Sequence, residues 1–170
     1  MFDWSAAADA LLRISRTHLA RFLARPEAGD VYAVGFFCDA HVGTIYLVAN
    51  TEEYHRRTLG EFEARFGLTD PNVFRWDAGN WEYPGGLFPS AGPEQAAFDA
   101  AWAEFGGPLA GLEDAEKQER LEGVCVRVLA ALAAEGAFAA APGLAGVTVL
   151  GPDDRREDTP GKWRPLDRLV

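Results

Sequence analysis

The sequence predicts an α+β fold in one domain, residues 1–170, with a central antiparallel sheet of about four or five strands and helices packed on it. Two adjacent runs, residues 31–38 and 42–49, are rich in β-branched and aromatic residues, and a short polar connection joins them, which is typical of a hairpin. Four other stretches repeat apolar residues at helical spacing. The chain has 170 residues, of which 48% are hydrophobic, so one substantial core is expected.

Both faces of the predicted hairpin are apolar. In the first strand one face carries Tyr32, Val34, Phe36 and Cys38, and the other carries Val31, Ala33 and Phe37. A strand that is apolar on both faces is normally covered on both faces. The hairpin is therefore expected at the centre of the sheet, with other elements packed above and below it.

The first helix is predicted over residues 3–25 and the second over residues 51–66. The apolar stripe of the first helix consists of Leu11, Ile14, Leu19, Phe22 and Leu23. The second helix follows Asn50, a favoured N-cap, and Glu53 is placed to return a hydrogen bond to the Asn50 N–H, as in a capping box. Gly67 is expected to end this helix.

Two more helices and two more strands follow along the chain. A helix over residues 93–105 has Pro93 at its first position, where a proline is well tolerated. A longer helix over residues 112–134 places acidic residues in its first turns, which suits the positive end of the helix dipole. Residues 146–150 and 72–76 are predicted as strands beside the hairpin.

The net charge restricts the class of partner, and the cysteines and the first residues of the chain bear on its expected location. The formal net charge is -10, which argues against a nucleic acid or an anionic membrane as the partner, because phosphate binding needs clustered Lys and Arg. The charge is compatible with a basic protein partner, but solubility alone is the simpler explanation of it. Cys38 and Cys125 read as small buried hydrophobic residues. The start of the chain does not resemble a signal peptide, and a cytoplasmic location is expected.

No catalytic motif stands out in the sequence. There is no glycine-rich phosphate loop, no G-x-S-x-G, no H-E-x-x-H and no C-x-x-C. The three histidines are isolated from one another in sequence. No cofactor and no metal site are therefore expected, although a catalytic set can also be assembled in space from distant residues.

One candidate binding surface comes from polar-tipped aromatic and acidic residues in loop-rich segments. Aromatic side chains with a polar tip often mark recognition surfaces, and the alternative is that the rings cover one edge of the core. The candidate contacts are Asp77, Trp81, Glu82, Asp153 and Asp154.

An alternative site is centred on histidines and carboxylates. Asp39 and His41 are neighbours in the hairpin connection, where a carboxylate beside an imidazole could begin an acid–base pair. Glu52, Glu53 and His55 lie in one helical turn and could hold a metal, but helix capping explains the two glutamates more simply.

Three sequence blocks together resemble a known family. They are V-A-N-T-E-E at residues 48–53, F-R-W-D-A-G-N-W-E-Y at residues 74–83 and G-V-T-V-L-G-P-D-D at residues 146–154. Their order and spacing resemble the bacterial domain-of-unknown-function family numbered 4303. The resemblance implies a small, cytoplasmic, single-domain protein, with some members near the immunity genes of polymorphic toxins. It defines no catalytic residue.

The leading functional hypothesis is a non-catalytic, immunity-like protein-binding domain whose acidic surface meets a basic protein such as a toxin. The second hypothesis is an enzyme or small-molecule binder that uses Asp39, His41 and His55 with the nearby carboxylates. It requires His41 and His55 to converge with a carboxylate in one pocket. A purely structural or regulatory subunit is a third reading.

Overall fold

The computed structural model describes residues 2–67, 70, 75, 81, 87–88, 92–103, 112–151 and 163–164. The α-helices are α1 (Trp4–Leu23), α2 (Glu52–Phe66), α3 (Pro93–Trp102) and α4 (Asp114–Ala134), and a 3-10 helix spans Pro26–Asp30. The strands are β1 (Val31–Asp39), β2 (Thr44–Thr51), β3 (Gly146–Leu150) and the two-residue β4 (Trp163–Arg164). The predicted α+β class and the predicted strand at 146–150 are confirmed.

The sheet is mixed, in the order β2-β1-β3-β4. β1 pairs antiparallel with β2 but parallel with β3, so the predicted purely antiparallel sheet of four or five strands is wrong. Three strands have appreciable length, and β4 adds only two residues at one edge. A parallel pair needs a crossover connection rather than a turn, and the helices between β1 and β3 provide it. The proposed strand at residues 72–76 lies outside the described residues.

The hairpin is central through β1, which lies between β2 and β3. On the outer side of β2, the Leu87 N–H donates a hydrogen bond to the Leu47 carbonyl at 2.6 Å. One face of the hairpin joins α1, α3 and α4 in the main hydrophobic cluster, with Val34, Phe36, Cys38, Ile45 and Leu47 among its members. The opposite face buries Tyr32, Ala33, Val48 and Trp81. The hairpin is thus covered on both faces, as predicted.

A β-bulge changes the predicted facing of β1. The register advances by two residues in β1, from Val31 to Ala33, while it advances by one in β2. Two residues therefore oppose one, and the alternation of faces is interrupted. The prediction that Tyr32 shares a face with Val34 is consequently wrong, because Tyr32 lies in the cluster on the opposite face. Val31 likewise joins the main cluster.

The start of α2 differs from the predicted capping box. The N-cap is Thr51, whose hydroxyl oxygen accepts a hydrogen bond from the Tyr54 N–H at 3.2 Å. The Glu53 N–H donates to the Asp30 carboxylate at 2.7 Å. Asn50 belongs to β2 and is fully buried, so it contributes to the interior rather than to the cap. Gly67 ends the helix in a left-handed conformation, with φ 69°, as predicted.

The two cysteines are free and buried, one in β1 and one in α4. Burial raises the pKa of the Cys125 thiol, and the neighbouring Cys38 thiol raises it further. The Cys125 thiol therefore remains protonated, and both buried cysteines pack as small apolar groups. Among the described helices, none combines the length and the apolar character that crossing a membrane requires.

Candidate functional site

The densest polar cluster in the described structure lies where the open end of the hairpin meets α2. We call it the base cluster, and it consists of Tyr32, Asn50, Glu52, His55, Arg75 and Trp81. The bulge turns Tyr32 toward this side of the sheet, and β2 delivers Asn50 beside it. Glu52 and His55 are three residues apart in α2, so they share one side of the helix.

The backbone carbonyl of Arg75 is the hub of the base cluster. It accepts a hydrogen bond from the Tyr32 hydroxyl at 2.6 Å and another from Trp81 Nε1 at 3.1 Å. The Tyr32 oxygen in turn accepts a hydrogen bond from Asn50 Nδ2 at 2.9 Å. Three buried or half-buried polar side chains thus find partners around one carbonyl group, which fixes residue 75 against the sheet.

The Arg75 side chain adds charge to the same place. Its guanidinium bonds both carboxylate oxygens of Glu52, one of them at 3.0 Å, in a bidentate pair. Its central carbon lies 4.1 Å from the centre of the Tyr32 ring, within cation–π range. The His55 ring is 5% exposed and meets the Tyr32 ring edge-on, with 6.0 Å between the ring centres.

The pKa shifts of Tyr32, Glu52 and Arg75 move these three groups away from neutral pH. Burial is the main cause that raises the pKa of Tyr32 far above its ordinary value. The hydrogen bond from Arg75 lowers the pKa of Glu52, and the hydrogen bond to Glu52 raises the pKa of Arg75. A general acid or base works best with a pKa near the operating pH. These three groups therefore hold fixed protonation states and serve as an anchor.

A second group of side chains surrounds the hairpin connection, at the opposite end of β1 and β2. The Asp39 carboxylate accepts hydrogen bonds from the backbone N–H groups of His41 at 2.9 Å and Val42 at 3.3 Å. Asp39 therefore shapes the turn, as aspartates commonly do, rather than orienting the imidazole. His41 Nδ1 lies 3.5 Å from an Asp114 carboxylate oxygen, and its side chain is 78% exposed.

The side chain of Gln118 fastens this connection to α4. Its Oε1 accepts a hydrogen bond from the Ala40 N–H at 2.8 Å, and its Nε2 donates to the Cys38 carbonyl at 3.1 Å. The start of α4 is thereby held beside the turn. We call the resulting surface the tip surface, and it consists of Asp39, His41, Val42, Glu113 and Asp114.

The tip surface is acidic and has an exposed apolar residue. Val42 is 61% exposed, and the preceding residue, His41, lies against Asp114 in the first turn of α4, which Glu113 precedes. The pKa of Asp114 is lowered chiefly by its hydrogen bond with Lys117 and further by His41, so it stays ionised. Carboxylates around an exposed apolar centre are compatible with recognition of a basic surface.

The structure does not bring the two histidines of the alternative site together. His41 lies in the connection of the hairpin, whereas His55 lies at the base, roughly 25 Å away along the strands at about 3.3 Å per residue. Glu52 and His55 meet in the base cluster, and Glu53 is exposed on α2. Among the described residues, no group of three His, Cys, Asp or Glu side chains is placed to hold a metal.

The structure describes only one of the five predicted binding residues, Trp81. Trp81 is fully buried against Tyr32 and Val48, so its ring packs on the sheet rather than on a partner. The other four predicted contacts, Asp77, Glu82, Asp153 and Asp154, lie outside the described residues. Sequence reasoning missed Arg75, and its only signal was a single arginine in an aromatic segment.

Acid sensitivity provides a test of the Glu52–Arg75 pair. The pKa of Glu52 is lower in the folded chain than its ordinary value of 4.5, so its contribution is complete above about pH 4.5 and is lost as the pH falls. The side chain is 40% exposed, which limits the effect to about 1 kcal/mol. We expect Glu52→Gln to be less stable at neutral pH and to lose less stability on acidification, as measured by urea unfolding.

The matched control for this experiment is Glu53→Gln, in the same helical turn. The Glu53 side chain is exposed and makes no hydrogen bond or ion pair within the described part of the chain. The control variant should therefore follow the wild-type dependence on pH. The same dependence in Glu52→Gln would contradict a role for the ion pair.

Comparison with known proteins places the chain in one family. A family model described as Domain of unknown function (DUF4303) matches residues 11–160 of the 170. This match confirms the resemblance that the three sequence blocks indicate. No curated protein and no solved structure matches the chain.

Proposed function

The chain belongs to the family described as Domain of unknown function (DUF4303), and from the surface of this member we propose that it is a non-catalytic, immunity-like protein-binding domain. Its partner is a basic protein such as a toxin, and the tip surface is the place of contact. The proposal includes a bacterial, cytoplasmic setting, which two buried free thiols suit.

The observation that carries the proposal is the composition of the tip surface. Val42 is 61% exposed, its neighbour His41 lies 3.5 Å from an Asp114 carboxylate oxygen, and the whole chain has a net charge of -10. An exposed apolar side chain with charged neighbours matches the arrangement of protein interfaces, where an apolar centre has a polar rim. Carboxylates on the rim would steer a basic partner and speed its association.

The base cluster supports the same proposal from the other end of the hairpin. Glu52 and Arg75 have pKa values displaced away from neutrality, and two hydrogen bonds are directed at the backbone carbonyl of residue 75. Such a cluster stabilises the end of the hairpin opposite the tip surface. Its tyrosine, glutamate and arginine are poorly suited to proton transfer near neutral pH.

The test is a charge reversal at the tip surface. We expect Glu113→Lys/Asp114→Lys to slow association with a basic partner by about tenfold or more at low salt, because steering depends on local charge. The partner is sought by co-expressing the chain with the products of neighbouring genes. Association rates are then measured by surface plasmon resonance at several salt concentrations, and the difference should shrink as the salt rises.

The matched control is Glu61→Lys/Glu63→Lys on α2, which changes the net charge equally. Glu61 and Glu63 are exposed, and their carboxylates make no ion pair within the described residues. This double variant should bind nearly as fast as the wild type. Equal losses from both double variants, or binding that salt does not affect, would contradict the proposal.

A further inference from the structure

A cleft of about 330 Å³ lies between α1 and α3, away from both the base cluster and the tip surface. The lining residues are Ala10, Arg13, Ile14, Arg16, Thr17, Pro93, Glu94 and Ala97. Its volume is at the lower end of the range for small-molecule sites, which is about 300–1,000 Å³. Its lining combines a short aliphatic floor with both signs of charge.

The positive charge available in the cleft is that of Arg13. The neighbouring Arg16 guanidinium is already paired, because it donates two hydrogen bonds to the Glu135 carboxylate, at 2.6 and 2.7 Å. The Arg13 guanidinium is exposed and makes no hydrogen bond or ion pair within the described ranges. It is therefore available to receive an anionic group, and a planar guanidinium matches a carboxylate particularly well.

The negative charge in the cleft is that of Glu94, which α1 holds in position. The Thr17 hydroxyl donates a hydrogen bond to one carboxylate oxygen at 3.2 Å. His18 Nε2 lies 3.2 Å from the other oxygen without forming a hydrogen bond to it. The Glu94 side chain remains 40% exposed, so its oxygens have room to accept a further donor.

A buried polar atom beside Glu94 bears on the position of this carboxylate. The His18 side chain is only 9% exposed, and its Nε2 has no hydrogen-bond partner. Buried polar groups in native proteins are normally hydrogen-bonded, so this atom calls for an explanation. A ligand that draws Glu94 into a defined position would also bring the carboxylate and the imidazole into alignment.

We propose that this cleft binds a small zwitterion, namely a free α-amino acid with a short aliphatic side chain. Its carboxylate lies on Arg13 and its ammonium group on Glu94. Its aliphatic side chain covers the floor formed by Ala10, Ile14 and Ala97. The proposal concerns a separate site and does not depend on the tip surface.

The experiment is a titration of the full chain, labelled with nitrogen-15, followed by proton–nitrogen correlation spectra. The three probes are L-leucine, L-leucinamide without the carboxylate, and N-acetyl-L-leucine without the ammonium group. We expect L-leucine to shift the backbone amides of Ala10, Thr17 and Ala97. Each derivative should bind at least tenfold more weakly, because one charged contact is lost.

Variants then assign the two charged ends. Arg13→Gln should weaken L-leucine binding at least tenfold. In this variant N-acetyl-L-leucine should bind no more tightly than L-leucinamide. Glu94→Gln should also weaken L-leucine binding. The matched controls, Arg21→Gln and Glu119→Gln, should bind like the wild type. Thermal unfolding of each variant verifies that it is folded, which is expected for Arg13→Gln because its side chain is exposed.

Three results would overturn the proposal. They are no shift of cleft amides with L-leucine, equal shifts with all three probes, and equal losses in Arg13→Gln and Arg21→Gln. Equal shifts would mean that apolar contact alone attracts the probes. None of these results bears on the protein-binding proposal, because its variants lie in other parts of the chain.

Discussion

Replacing Trp81 with alanine is expected to lower the free energy of unfolding by about 3–5 kcal/mol. The Trp81 ring is fully buried and packs with Tyr32 and Val48 on the second face of the sheet. Its Nε1 also donates to the Arg75 carbonyl at 3.1 Å, so the truncation leaves a cavity and weakens the hub of the base cluster. Chemical denaturation followed by circular dichroism measures the loss.

Two further variants separate the contributions of Trp81. Trp81→Phe keeps most of the ring but removes the Nε1–H donor, so its loss should lie clearly below that of Trp81→Ala. Phe66→Ala removes a ring that is 57% exposed, and it should change stability by no more than about 0.5 kcal/mol. A loss below about 1 kcal/mol in Trp81→Ala would show that this ring does not organise the second face.

Gly35→Ala is expected to destabilise the sheet by about 1–3 kcal/mol or more, because no space exists for a methyl group. A Cβ at Gly35 would lie 2.5 Å from the Thr148 carbonyl oxygen and 2.8 Å from its Cγ2. These contacts are too short to persist. Since the nearer atom belongs to the backbone of β3, the clash must push β1 and β3 apart. Denaturant unfolding measures the effect.

The control for this substitution is Gly60→Ala in α2, where a Cβ meets no atom within 4 Å. Alanine is the better helix former, so this variant should gain up to about 1 kcal/mol. Adding Thr148→Ser to Gly35→Ala removes Cγ2 but leaves the carbonyl, and it should restore only a minor part of the loss. Full recovery in that double variant would contradict a backbone clash.

Local patterns in the sequence were sufficient for most individual elements. The helical spacing of Leu121, Val124 and Cys125 predicts α4, and these residues are indeed fully buried. The two-sided apolar pattern of β1 likewise predicts its cover on both faces. These signals are local because each depends on the repeat of one helix or strand.

The direction of β3 and the sheet face on which Tyr32 lies could not be predicted from local sequence patterns. The largely apolar sequence of β3 does not indicate the direction in which the strand runs. Only the crossover through α4 makes the pair with β1 parallel. A bulge shifts the alternation of buried and exposed residues, and this shift cannot be detected in a strand whose two faces are both apolar. The interruption at Tyr32 therefore could not be predicted from the sequence.

The base cluster illustrates why candidate sites are harder to predict than elements. Tyr32 and Arg75 are far apart in sequence, and the hydrogen bond between them runs to a backbone carbonyl that no residue type identifies. Trp81 has an aromatic ring with a polar tip, which suits both a recognition surface and a buried donor. Its burial decides between the two readings.

The parallel pairing of β1 with β3 also bears on the order in which the chain folds. Asp39 can pair with Thr44 as soon as one turn has formed. The parallel partner of Ala33 is Gly146, which lies more than a hundred residues later in the chain. Closing so long a loop is entropically costly and slow. Until ribosomal synthesis reaches that point, one edge of the innermost strand has no permanent neighbour, and nascent chains carry their greatest risk of aggregation there.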